Sequence, residues 1–222
     1  MTGSNRIGES HVLEAGRKAA ESLATWIGHP VRLDWTRPEA VAVEDAAELF
    51  GPAEAEVAAC VLEVSGSARG RFVLIVDAPS IARFVSSMMG QGPAISEEAL
   101  KLATEDPGSF WDELARSAAL ETANIVACAF LNALAQSWEE GGETQGVRLI
   151  PTPPQFTLDF AGSLSQMLVA DIAEDSHGVL LTKSRMHLED VAGGDWRLVW
   201  VPLQSDQPGS FDAAPAGDTQ AT

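Results

Sequence analysis

Apolar residues recur at helical spacing in three parts of the chain. The spacing predicts a helix over residues 10–27, with Gly28 as a natural stop, and a shorter amphipathic helix over 80–89. A third, longer helix is expected over 108–138, just after an Asp-Pro dipeptide and before the loop EEGGETQG. The apolar segments between these helices have a different period.

Four of those segments are β-type runs, and they occur in pairs. The first pair, VAACVLEV at 57–64 and GRFVLIV at 70–76, flanks SGSAR, where Gly66 and Gly70 permit a turn. The second pair is GVLLTKSRMHLE and DWRLVWVP, on either side of the turn DVAGG. Each pair predicts a β-hairpin.

The chain also repeats itself. The segments VRLDWTRP at 31–38 and VRLIPTPP at 147–154 share Val-Arg-Leu, followed by Thr and Pro at equal offsets. Each segment follows a helix and precedes a hairpin, which indicates an internal duplication of helix, loop and hairpin. Such a duplication predicts a pseudo-symmetric α+β fold, in which both hairpins join one antiparallel sheet and the long helices pack on one face.

These patterns divide the chain into an N-terminal arm, one domain and a tail. The arm comprises residues 1–9, and the domain comprises 10–202, with pseudo-repeats over about 10–92 and 107–202. Residues 203–222 are rich in Asp, Pro, Gly, Ala and Ser, so we expect a disordered tail.

The charge balance limits the partners. With 32 acidic against 14 basic residues the formal net charge is −18, which repels nucleic-acid backbones and anionic lipid surfaces. The most apolar stretch, 123–135, is interrupted by Asn124 and Asn132 and is too short to span a bilayer, and residues 1–9 lack an apolar segment of signal-peptide length. We therefore expect a cytoplasmic protein that binds neither nucleic acid nor membrane.

The cysteines and histidines form no metal-binding pattern. Cys60 and Cys128 lie in apolar runs without a CxxC or Cys/His spacing, and the four histidines have no ligand spacing among themselves. We expect buried, reduced thiols and no metal site.

One polar stripe on the long helix could carry chemistry. At 100° per residue Ser117, Glu121 and Asn124 fall within an arc of about 60°, with Cys128 in line below them. A carboxylate and a carboxamide one turn apart can act on the same bound group, Glu as anion or base and Asn as hydrogen-bond donor and acceptor. The alternative is the solvated edge of an amphipathic helix, and periodicity alone does not decide between them.

These residues carry a resemblance to a known family. Ser117, Glu121, Asn124 and the Asn-Ala-Leu at 132–134 resemble the Ser/Asp-xxx-Glu-xx-Asn signature and downstream NAL of the CheC/CheX/FliY phosphatases. The segment IPTPPQFTLDFAGSL at 150–164 resembles the proline-rich segment of CheC second halves, and GHPVRL with VLEVSGSARGRFVLIV resembles the first half. The resemblance covers about residues 10–202.

The resemblance implies a CheC-like fold and hydrolysis of the aspartyl phosphate on a CheY-like response-regulator receiver domain. Glu121 would engage a lysine of the receiver and Asn124 would orient a water in line with the phosphoryl group, while Ser117 and Cys128 would contact the partner. The chain would need no cofactor of its own, because the Mg²⁺ belongs to the receiver. A CheD-like deamidase is a further candidate partner.

Three features depart from the family pattern. Two-site CheC proteins also carry Glu-xx-Asn on the first-half helix, whereas the aligned positions here are Ser10 and Leu13, which can neither pair with lysine nor position water. The enlarged loop 139–146 shifts Pro151 and Pro154 beyond their usual distance from the Asn. Finally, the terminal helix that CheC proteins have at this point is not expected here, because the tail follows Pro202 instead.

The sequence therefore supports two candidate functions. The first is a phosphatase in chemotaxis or related two-component signalling, which predicts faster loss of receiver phosphate. The second is a non-catalytic receiver-binding or flagellar-switch adaptor that has kept the fold, a hypothesis favoured by the degenerate first half, which predicts binding without turnover. An unrelated hydrolase would need a nucleophile, base or metal set that the sequence does not offer.

Overall fold

A computed structural model describes most of the chain. The described residues are 9–35, 39–41, 50–91, 95–140, 146–172, 179–188 and 195–203. Residues 1–8 of the predicted arm and residues 204–222 of the predicted tail lie outside these ranges, and so does most of the enlarged loop.

The described residues form six helices. They are α1 (Glu9–Ile27), α2 (Ala78–Met88), α3 (Glu97–Glu105), α4 (Pro107–Phe110), α5 (Glu113–Glu140) and α6 (Ala161–Ile172). The predictions of α1 and α2 are confirmed, and Gly28, at φ +77°, ends α1 as expected. Helices α3 and α6 were not predicted, although Ser96 is a recognisable cap whose hydroxyl accepts a hydrogen bond from the Ala99 N–H.

Eight strands in the described ranges form one antiparallel sheet. They are β1 (Val31–Trp35), β2 (Glu39–Val41), β3 (Glu56–Gly66), β4 (Arg69–Val76), β5 (Leu149–Pro151), β6 (Gln155–Phe160), β7 (Val179–Leu188) and β8 (Asp195–Leu203). Both predicted hairpins, β3–β4 and β7–β8, are present. The strand order is β1-β7-β8-β4-β3-β5, with β2 also paired to β7 and β6 also paired to β3.

This order is symmetric about its centre, where β8 pairs with β4. Exchanging β1 with β5, β7 with β3 and β8 with β4 turns the order into its own reverse, and the pairing of β2 with β7 becomes that of β6 with β3. The helices that precede β1 and β5 are α1 and α5, which pack against each other. The predicted pseudo-symmetric α+β fold is confirmed.

The main core lies between the sheet and the pair α1 and α5. Alternate residues of β8, Trp196, Leu198 and Trp200, are buried on this side, and the rings of Phe72 on β4 and Phe130 on α5 lie 5.8 Å apart. Helix α5 is long and apolar enough to cross a membrane by length and composition, but 61% of its most apolar window is buried inside the structure. Its apolar character is therefore that of a core helix.

Helix α6 covers the face of the sheet opposite to α1 and α5. Val73, Ile75 and Val199 are buried but lie outside the core that α1 and α5 share, and α6 reaches from β6 across to β8. The first turn of α6 is held by the loop before β3, because the Ala161 N–H donates to the Ala55 carbonyl at 2.8 Å. The two long helices thus share one face as predicted, and α6 was missed.

The predicted start of the long helix at residue 108 is wrong. The chain forms the short α4, leaves helical geometry at Trp111 and Asp112, and then begins α5. Trp111 turns inward and is 3% exposed, while the Asp112 carboxylate caps α5 by accepting a hydrogen bond from the Ala115 N–H at 2.8 Å. Burial of an indole and a good N-cap together outweigh continuation of the helix.

Candidate functional site

The predicted polar stripe is accessible on the outer side of α5. Ser117 and Glu121 are exposed, whereas Asn124 and Cys128 are half-buried. Thr122 and Ala123, which lie between Glu121 and Asn124 in sequence, are fully buried. The four predicted site residues therefore share one surface, while their neighbours hold the helix to the core.

The stripe forms one wall of an open groove of about 430 Å³. Ser117, Leu120, Glu121 and Asn124 line this wall, whereas Cys128, for which the resemblance implies a partner contact, does not. The segment 151–154, with the sequence Pro-Thr-Pro-Pro, lines the other. The enlarged loop therefore does not separate these prolines from the Glu121–Asn124 pair, a placement that the sequence alone does not predict.

Asn124 has a defined orientation within the groove. The Cys128 thiol lies one turn further along α5 and donates to Asn124 Oδ1 across 3.6 Å. Burial and the nearby Glu121 carboxylate raise the pKa of the Cys128 thiol, so it stays protonated and can act as a donor. With Oδ1 engaged and no other hydrogen bond to this side chain from the described residues, the amide N–H groups of Asn124 are available in the groove.

Glu121 offers an unpaired negative charge. Its side chain is exposed at the groove and forms no ion pair with any residue in the described part of the chain. A carboxylate in this position is accessible to a cation on a docking partner, and among the described residues it has no ion pair that would first have to break.

The first half carries no equivalent pair. A shift of 111 positions takes Ser10 to Glu121 and Leu13 to Asn124. The same shift maps buried residues of α1 onto buried residues of α5, namely Val12, Ala15, Ala19, Ala20 and Leu23 onto Ala123, Val126, Phe130, Leu131 and Leu134. The burial pattern thus supports the alignment, and the α1 positions hold a hydroxyl and an apolar side chain.

Aromatic packing fixes the start of α5 beside β6. The Trp111 and Phe156 rings lie 5.0 Å apart, and the Arg116 guanidinium stands 5.6 Å from the Phe156 ring centre. Arg116 also donates from Nε to the Trp111 carbonyl at 2.8 Å. These contacts set the spacing between α5 and β6, the strand that follows the prolines. The Trp-Asp dipeptide at 111–112 does not predict them from sequence.

The chemistry available here is positioning rather than covalent attack. Cys128 is held as a thiol, and Ser117 has no histidine hydrogen-bonded to it among the described residues. Over the same residues no group of three or more His, Cys, Asp and Glu side chains could hold a metal ion. The groove instead places an amide that can orient water beside a carboxylate that can bind a cation.

The chain has a CheC/CheX/FliY-like fold. It is similar to the crystal structure of FliY from Thermotoga maritima, with a TM-score of 0.64 and 17% sequence identity over 86% of each chain. It is also similar to a provisionally assigned chemotaxis protein from Desulfovibrio vulgaris Hildenborough, with a TM-score of 0.50 and 11% identity over 89% of this chain and 99% of that one. Neither protein-family profiles nor curated protein sequences match this chain.

Proposed function

We propose that this protein is a cytoplasmic phosphatase that hydrolyses the aspartyl phosphate of a CheY-like receiver domain in chemotaxis or related two-component signalling. The observation that carries the proposal is the position of Glu121 and Asn124, side by side and solvent-accessible in one open groove. The CheC/CheX/FliY-like fold supports it, and so does the resemblance of Ser117, Glu121 and Asn124 to the sequence signature of that family.

Asn124 is proposed to orient the attacking water. In the reaction the water oxygen bonds to phosphorus and the bond between phosphorus and the aspartyl oxygen breaks, which leaves a free carboxylate and inorganic phosphate. Such transfer depends mainly on alignment and on neutralised phosphoryl oxygens, so a neutral amide with free N–H groups and no titration of its own is sufficient. The hydrogen bond from Cys128 holds that amide in one orientation.

Glu121 is proposed to dock the receiver by pairing with its lysine. The carboxylate is unpaired among the described residues and lies one turn from Asn124. A charge pair that forms as the two proteins meet would fix the phosphoryl group over the amide. The Mg²⁺ that neutralises the phosphoryl oxygens would be carried by the receiver.

A non-catalytic adaptor is the second candidate. It is favoured by the α1 face, where Leu13 occupies the position of the catalytic amide and leaves only one of the two halves with a pair. In this alternative the groove binds a receiver or a flagellar-switch partner without turnover. A CheD-like deamidase also stays a prediction.

Binding and turnover separate the two candidates. Each receiver of the source organism would be phosphorylated with acetyl phosphate, and phosphate release would be followed with and without the protein. Binding to the same receivers, activated with beryllofluoride, would be measured in parallel. A phosphatase accelerates release from at least one receiver that it binds, whereas an adaptor binds and leaves the release rate unchanged.

A further inference from the structure

The proline side of the groove is built as a β-bulge. Pro151 pairs with Val64 of β3, whereas Gln155 pairs with Val61. Between these pairs Thr152 stands opposite Glu63, so Pro153 and Pro154 both stand opposite Leu62. One extra residue on the outer strand bends it locally, and bulges of this kind re-aim side chains beside functional sites.

Thr152 closes the gap that the bulge would otherwise leave in the ladder. Its N–H donates to the Glu63 carbonyl at 2.8 Å, and its hydroxyl oxygen accepts from the Glu63 N–H at 3.0 Å. The hydroxyl thus takes the place of a backbone carbonyl in an otherwise regular pair. Pro153 and Pro154 have no N–H to donate, which is tolerated at a bulge on the outer strand of a sheet.

The bulge is therefore rigid before any partner arrives. Proline fixes φ at about −65°, and the two hydrogen bonds of Thr152 anchor the segment to β3. Pro153 is exposed and Pro154 is half-buried, so both present surface to the groove that Glu121 and Asn124 line from the other side. A rigid apolar wall loses little conformational entropy when it is covered.

We propose that the bulge 151–154 is a second docking surface for the receiver, with Thr152 as its positioning residue. This inference rests on the proposed function. A receiver whose phosphoryl group reaches Asn124 has to occupy the groove, and the bulge forms the opposite wall of that groove. The α5 wall supplies Glu121 and Asn124. The bulge 151–154 selects, by shape, the receivers whose surface beside the phosphoaspartate matches it.

The test compares variants that differ only in this wall. Thr152→Val removes the hydroxyl acceptor at nearly constant shape, Thr152→Ser retains it, and Pro153→Ala removes ring contact and rigidity. Pro52→Ala is the matched control, since Pro52 is also exposed but does not line the groove. Circular dichroism and thermal melting would establish that each variant folds.

The readouts are the dissociation constant for the beryllofluoride-activated receiver and the separate kcat and KM of dephosphorylation. Pro153→Ala and Thr152→Val should raise Kd and KM by about 3- to 10-fold with kcat nearly unchanged, while Thr152→Ser and Pro52→Ala should match the wild type. Wild-type Kd and KM in Pro153→Ala and Thr152→Val would overturn the inference.

Other outcomes separate this inference from the proposed function. If the wild type binds an activated receiver but releases no phosphate, and the variants Pro153→Ala and Thr152→Val bind that receiver more weakly, the docking surface is supported and the phosphatase is contradicted. If the wild type releases phosphate and all wall variants keep the wild-type Kd, the phosphatase is supported and the docking surface is contradicted. Failure of the wild type to bind any activated receiver would overturn both.

Discussion

The thiol of Cys128 lies 3.6 Å from Oδ1 of Asn124, and it donates the hydrogen bond that orients the amide proposed to position water. Both side chains are half-buried on the outer face of α5, so the contact is partly shielded from solvent. The Asn124 amide therefore has a hydrogen-bond donor on its own helix, one turn away, which contacts its oxygen and leaves its N–H groups to the groove.

Removing this donor should slow turnover without weakening docking. Cys128→Ala leaves the Asn124 amide free to rotate, and because a thiol is a weak donor the loss should lie near the low end of hydrogen-bond energies, about 0.5 kcal/mol, which corresponds to a decrease in kcat of roughly 2-fold. Cys128→Ser supplies an O–H donor at the same place and should retain most of the rate. Equal kcat values for the wild type and the alanine variant in phosphate-release assays would refute the role of the thiol.

The two thiols should differ in reactivity. Cys60 is fully buried and burial raises its pKa to about 12, whereas Cys128 is half-buried with a pKa raised by burial and by the Glu121 carboxylate. Because only the thiolate alkylates, at about pH 8 iodoacetamide should label Cys128 slowly and Cys60 only after denaturation.

Glu121→Gln provides a check on the local electrostatics. It removes the negative charge that disfavours the thiolate, so the pKa of Cys128 should fall and its labelling should become faster, while Cys60 should be unchanged. Mass spectrometry of the two peptides against time measures both rates. An unchanged labelling rate of Cys128 in Glu121→Gln would show that the carboxylate does not act on this thiol.

Gly66 should be among the least replaceable residues of the fold. Its φ is +109°, and a Cβ there would stand 2.2 Å from the Arg148 carbonyl oxygen, which also accepts from the Ser67 N–H at 2.7 Å. Gly66→Ala combines backbone strain with a steric clash, so chemical denaturation should show a loss above about 3 kcal/mol.

Gly28 is the matched control for that substitution. Its φ is also positive, at +77°, but an added Cβ meets nothing within 4 Å. Gly28→Ala should therefore cost only the strain of the left-handed region, about 1 to 2 kcal/mol. Equal losses for the two variants would mean that the contact between the β3–β4 turn and Arg148 is not tight.

The α1 face should be silent in catalysis. Leu13 is 40% exposed and Ser10 is exposed, at the positions that correspond to Asn124 and Glu121. Ser10→Ala and Leu13→Ala should leave the dephosphorylation rate within about two-fold of wild type and change stability by less than about 0.5 kcal/mol, as expected for surface sites. A large loss of rate in Leu13→Ala would show that the first half takes part.

Much of the fold could be predicted because local pattern and tertiary structure agree. The duplicated VRL segments and the alternating strands predict the two hairpins and their union in one antiparallel sheet. The order β1-β7-β8-β4-β3-β5 comes from the structure alone. The spacing of Ser117, Glu121 and Asn124 places them on one face of α5 at any reasonable helix boundary. Only the structure shows that these side chains are accessible in a groove, because the same helical periodicity is expected for a solvated helix edge and for a cleft.

Features that depend on two distant segments could not be predicted. The break before α5 depends on Trp111 packing against Phe156, which lies 45 positions further along the chain. The bulge depends on the register of two separate pairings with β3, and the reciprocal bonds of Thr152 and Glu63 span 89 positions. A sequence of Pro-Thr-Pro-Pro indicates a stiff segment but not the wall that it forms.

The most direct test of the central claim is the rate of phosphate release from phosphorylated receivers, with wild-type protein, Asn124→Ala and the control Leu13→Ala. Alanine is a strong helix former, so Asn124→Ala should fold, and loss of the aligned water predicts a fall in the accelerated rate of about 10²-fold while Leu13→Ala stays active. Undiminished acceleration by Asn124→Ala, or no acceleration by the wild type on any receiver that it binds, would contradict the account.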